Sequence, residues 1–162
     1  MNFGKLFLLF LIFAFKANAE NFQENFQDWT VFKANDGGEV LCYMISTPIA
    51  QSKTIKKRGD AFLIVTNVKN DADEISASSG VLYNEKSDVE ISFGKRKYYL
   101  LPYKSRAWAY DKNDDIEIIK QMQKQPDMII SASSDADENI NDTYSLVGFA
   151  PAYIKMKKIC KN

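Results

Sequence analysis

The chain has 162 residues, 21 Lys+Arg against 21 Asp+Glu, two cysteines and no histidine, with 46% hydrophobic content. The even charge balance argues against a nucleic-acid binder. The missing histidine removes Ser-His-Asp and Cys-His catalysis and the common zinc sites.

At the N-terminus, Lys5 precedes an unbroken apolar run of ten residues, Leu6 to Phe15. Ala17-Asn18-Ala19 then places small residues at the −3 and −1 positions of a signal peptidase site, so cleavage is expected between Ala19 and Glu20. The rival reading, a membrane anchor, needs about 20 apolar residues. Loss of residues 1–19 leaves one domain, residues 20–162, with Lys+Arg at 19 against 21 Asp+Glu and a net charge near −2. A domain of that size buries about two-thirds of its unfolded surface. In an oxidising compartment the even cysteine count favours one bridge, Cys42 to Cys160.

After a short polar leader the first predicted strand is Trp29 to Phe32, followed by the turn Asn35-Asp36-Gly37-Gly38. Further strands are expected at 39–47, 61–68 and 74–78. A hairpin of 88–93 and 97–101 turns around Gly94-Lys95-Arg96, and 106–110 is another short strand. The period then changes. Asp114 can cap a helix over 114–125, with Ile116, Ile119 and Met122 on one face and Pro126 as its stop. Residues 127–133 and 143–149 resume as strands. Pro151 suits the first turn of a second helix over 151–160, with Ala152, Tyr153, Met156, Ile159 and Cys160 as its apolar stripe. The expected fold is all-β, β-sandwich-like and mostly antiparallel, with two short α-helices.

Ser92-Phe93-Gly94-Lys95 matches Ser-x-x-Lys of penicillin-binding enzymes, but it runs from a strand into a glycine turn, and no Lys-Thr-Gly follows. The match reads as coincidence. The run 135–142 gathers Asp135, Asp137, Glu138 and Asp142, a weak calcium candidate. Ile140 and Leu146 break the EF-hand pattern there, so a solvated acidic loop is the competing reading. Two basic clusters, Lys53, Lys56, Lys57 and Arg58 in one loop and Lys95, Arg96 and Lys97 in a hairpin tip, can contact lipid phosphates or wall carboxylates. Their alternative is a charged, solvated turn. Trp29, Trp108, Tyr98 and Tyr99 are aromatic enough for a ligand groove, although strand aromatics chiefly fill cores.

Together, Asp28-Trp29-Thr30-Val31, Cys42, Ala107-Trp108-Ala109 and above all Asp142-Thr143-Tyr144-Ser145-Leu146-Val147-Gly148-Phe149, leading through Ala152 to Cys160, resemble the invasion-associated locus B family of alphaproteobacterial envelope proteins. The resemblance implies a secreted, disulfide-bonded all-β domain without known catalytic residues or cofactors. It also implies a link, in blood-borne relatives, to red-cell entry. One departure is the acidic stretch 133–141, where relatives carry a Ser-x-Arg-Gly-Thr-like segment. The expected role is binding of an envelope or surface protein, lipid or glycan, periplasmic or outer-membrane-associated and not integral to a membrane. The alternatives are a periplasmic small-ligand or metal carrier and, more remotely, an envelope hydrolase.

Overall fold

A computed structural model describes residues 22–36, 39–52, 55, 57–69 and 71–160. The leader with its Ala19–Glu20 cleavage site, the Gly37-Gly38 turn, Lys53 and Lys56 lie outside the described residues. The chain is mostly antiparallel β-sheet with two helices. In order, it forms β1 (Phe22–Phe26), β2 (Trp29–Asp36), β3 (Glu39–Ser46), β4 (Ala50–Gln51), β5 (Phe62–Thr66), β6 (Glu74–Ser78), β7 (Val89–Phe93), β8 (Arg96–Tyr103) and β9 (Arg106–Ala109). Helix α1 (Lys112–Met122), β10 (Asp127–Ser133), β11 (Asn139–Ser145) and helix α2 (Phe149–Ile159) complete it.

The strands form one sheet in the order β1-β2-β3-β5-β6-β9-β8-β7-β10-β11-β4. It curls until its two ends meet: the Asp28 N–H donates to the Val147 carbonyl, and Trp29 Nε1 donates to the Ser145 carbonyl at 3.1 Å. The period-2 alternation then sorts side chains cleanly. Val89, Ile91 and Phe93 of β7 and Met128 and Ile130 of β10 point inward, while their neighbours point out. Both helices lie on the inner side and close the core.

Helix α2 is tied down along its length. Phe149 meets Trp29 edge-to-face at 4.9 Å, and Ala152 and Met156 are buried. Lys33 Nζ donates to the last-turn carbonyl of Ile159 at 2.8 Å, where the helix dipole favours a cation. Cys160, just beyond the helix, is joined to Cys42 of β3. Gly148 sits at φ +89°, and a side chain there would collide with the Phe26 carbonyl, which explains the glycine in the Asp-Thr-Tyr block.

Several boundaries differ from the sequence reading. Helix α1 is capped by Asp111, whose carboxylate accepts from the N–H groups of Asn113 and Asp114, so Asp114 is inside the first turn. Ile116 is 39% exposed, and the buried face is Asp115, Ile118, Ile119 and Met122. The last strand runs over Asn139–Ser145 rather than 143–149, and α2 begins at Phe149 rather than near 151. Strands β1 and β4 had no expected counterpart.

Burying Asp115 has a measurable consequence. Its Oδ1 accepts from the Ile75 N–H at 2.8 Å, but desolvation, with Glu74, Asp114 and Asp111 nearby, lifts its pKa from 3.8 to about 6. The folded state therefore holds a proton that the unfolded chain releases near pH 4. Stability is fully present below that pH and is lost as pH rises through about 6. Asp115→Asn keeps the acceptor and removes the charge. It is expected to match the parent at pH 4 and to exceed it at pH 7.5 by about 1–2 kcal/mol, after discounting for solvent screening. Thermal melts at the two pH values check this.

Candidate functional site

Three segments that are distant in sequence converge on one face: the strap through Ile55, Lys57 and Arg58, the loop 81–86, and the β10–β11 turn at 134–138. They line an open groove of about 540 Å³ bordered by Ile55, Lys57, Leu82, Asp135 and Glu138. A neighbouring hollow of about 480 Å³ shares Leu82 and Asp135 with it and adds Lys86 and Lys104. Leu82, 52% exposed, stands between them. The loop is held by hydrogen bonds from Tyr83 N–H to the Lys104 carbonyl and from Asn84 N–H to the Ser133 carbonyl.

The strap is held by what lies beneath it. Arg58 donates Nε to the Ser79 carbonyl and forms an ion pair with Asp142 of β11; their side chains are 8% and 0% exposed. The adjacent Gly59 N–H donates to the Gly80 carbonyl at 2.8 Å. Gly80, at φ +72°, lies so close to Gly59 that no side chain fits there. Tyr83 and Tyr144 complete the buried polar cluster. Tyr83 donates to Ser79 Oγ at 2.9 Å, and burial pushes its hydroxyl up to about 12. Burial, with the Asp142 carboxylate, raises Tyr144 further. Arg58 Nη1, Asp142 Oδ1 and the Tyr144 hydroxyl have no hydrogen-bond partner among the described residues.

This geometry redistributes the residues singled out in the sequence. Arg58 is not a free contact residue, because its guanidinium is turned inward onto Asp142; of the two described members of that cluster, Lys57 is the exposed one. Asp142 is not part of a solvated acidic loop. It faces the core side of β11 between Ile140 and Tyr144, whereas Asp135, Asp137 and Glu138 form the turn outside. Asp137 accepts from Asn84 Nδ2 at 3.2 Å. Among the described residues no three acidic or cysteine side chains come together as a metal-binding group.

Lys95, Arg96 and Lys97 sit at the exposed β7–β8 tip, where Lys97 pairs with Glu90 at 3.0 Å. Trp29 is core, Tyr98 packs edge-to-face on Phe93, and Trp108 and Tyr99 lie on the outer sheet face. Sequence reasoning missed Asp73. Its buried carboxylate accepts from Tyr153 Oη at 2.6 Å, Asn67 Nδ2 at 2.7 Å and Lys157 Nζ at 2.9 Å, pinning α2 to the β5–β6 turn. Its only sequence signal was a position in a polar turn.

The model of the invasion associated locus B (IalB) protein family matches residues 29–157. The chain belongs to this family. The match takes in Cys42, Arg58, Asp142 and most of α2, but ends before Cys160. Among solved structures, that of invasion associated protein B from Bartonella henselae is similar, with a TM-score of 0.63 and 13% identity over 85% of this chain and 96% of that one. At that identity the likeness concerns the fold. No curated protein matches the sequence. Among the described residues no helix is long and apolar enough to cross a membrane.

Proposed function

We propose that this IalB-family protein is exported, loses residues 1–19, and works in the periplasm or at the outer membrane as a non-enzymatic protein that binds an envelope or surface partner. The observation that carries the proposal is the Cys42–Cys160 bridge, since stable disulfides belong to oxidising compartments. The apolar leader and small-residue cleavage site point the same way. The groove beside Leu82 and Lys57 is the main contact, and the exposed Lys95–Arg96–Lys97 tip supports it electrostatically. Entry into host cells is the form of binding that the family's name suggests. A small-ligand or metal carrier is the second reading, because a groove of about 540 Å³ lies within the range of small-molecule sites.

Crosslinking in intact cells tests the proposal with three proteins: the parent, Lys57→Glu/Leu82→Asp, and a form with Lys95, Arg96 and Lys97 all replaced by Gln. Capture of the parent's partner is expected to fall at least tenfold in the groove variant and by less in the hairpin variant. Equal capture by all three would overturn the contact assignment. A small molecule co-purifying in native mass spectra, with no crosslinked macromolecule, would replace it with the carrier.

A further inference from the structure

The outer face of the sheet, away from both helices, is unusually apolar at its middle. The strand pairings place Ile45, Ile64, Ser76, Trp108 and Leu101 in one row across β3, β5, β6, β9 and β8. On one side of that row lie Phe62, Arg106 and Tyr103. On the other lie Glu74, Tyr99 and Glu90. Arg106 is stacked between aromatic rings, 5.2 Å from the Phe62 centroid and 5.7 Å from that of Trp108, and its Nη2 donates to Ser76 Oγ at 2.6 Å. These contacts hold it against the sheet.

Tyr99, Leu101, Tyr103 and Tyr110 are 46%, 51%, 57% and 52% exposed. These four present roughly 400 Å², and the half-buried Phe62, Ile64 and Trp108 around them bring the patch to roughly 600 Å², the upper end for an ordinary monomer. Tyrosine, tryptophan and arginine at the centre are the residue types that anchor protein interfaces.

We propose that this face is the interface of a symmetric homodimer. Two features select a second copy as the occupant. The apolar patch, with its rim of Glu74, Glu90 and Lys104, approaches the roughly 800 Å² that each partner buries in a standard interface. The charges are also self-complementary. Stacking two such faces about a two-fold axis along the Leu101–Trp108–Ser76 row sets the Glu74 and Glu90 side of one copy over the Arg106 and Tyr103 side of the other. Glu90 is already paired with Lys97, which leaves Glu74 as the carboxylate for the partner. Lys104, whose Nζ lies 5.2 Å from the centre of the Tyr103 ring and has no carboxylate partner among the described residues, is the cation opposite it.

The proposal does not rest on the groove assignment, although Lys104 also borders the neighbouring hollow, and it is read by a different measurement. Sedimentation equilibrium of the oxidised mature protein at about 50 µM is expected to give a dimer, in the weak, micromolar range of a small interface. Leu101→Arg places like charges near the axis and is expected to give a monomer with an unchanged melting curve, because Leu101 is on the surface. Lys104→Glu and Glu74→Lys are each expected to weaken the dimer at least tenfold, and the double reversal to restore it. That rescue cannot come from misfolding. A parent that is monomeric throughout, a dimer that survives Leu101→Arg, or reversals that fail to compensate would each overturn the proposal.

Discussion

Asp142→Asn is expected to lower stability by about 3–5 kcal/mol, because it leaves the Arg58 guanidinium buried without its counter-charge. For a domain of this size that is a fall in Tm of roughly 10–15 °C. Both side chains are nearly inaccessible, so water cannot replace the lost partner. Arg58→Met is expected to cost a similar amount for the mirror-image reason. The double replacement Arg58→Met/Asp142→Leu should cost far less than the two together. Desolvating two charges offsets most of what their attraction returns, and here one atom of each lacks a hydrogen-bond partner. Melting curves of the four proteins, all oxidised, form the cycle. A loss under about 1 kcal/mol for Asp142→Asn would mean that the pair is solvated and that the strap is not fastened as described.

That pair also marks where the sequence ceased to be legible. Asp142 ends a run of eight residues with four carboxylates and two side-chain amides, and locally such a run reads as a solvated loop. Its inward orientation depends on Arg58, 84 residues earlier, and no local pattern announces a contact at that range. Strands β6 and β10 were placed at their observed bounds because turn-forming residues bracket short runs rich in strand-forming side chains. Strand β1 was invisible. Phe22 and Phe26 bracket polar residues, and the segment is a strand through its pairing with β2 and the Glu24–Lys155 contact to α2. The start of α1 slipped by one turn because Asp111 and Asp114 are equally good caps by type, and only the backbone at Asp111 is extended. The outer aromatic face was obscured because Arg96–Tyr103 is apolar on both sides of the strand, so alternation could not say which tyrosines face water.

The second large effect concerns the bridge. Cys42→Ala/Cys160→Ala is expected to lose about 2–5 kcal/mol, with the long closed loop favouring the upper part of that range. The sequence separation is 118 residues, so the unfolded chain gains much freedom when the link is cut. Loosening should concentrate in α2. Phe149, Ala152, Met156 and the Asp73 contacts of Tyr153 and Lys157 hold the helix as far as its ninth residue, while Lys33 to Ile159 is left to hold the end. Hydrogen exchange is therefore expected to rise first over residues 158–160 on reduction, with β6 and β10 still protected. Uniform exchange along the chain would contradict that order.

Export and covalent closure stand or fall together, and the sulfurs report on both. Protein collected from the periplasm of intact cells should begin at Glu20 and show no free thiol until both denaturant and reductant are added. Two reactive thiols in the folded, exported protein, or a chain kept in the cytoplasm with residues 1–19 attached, would contradict the account.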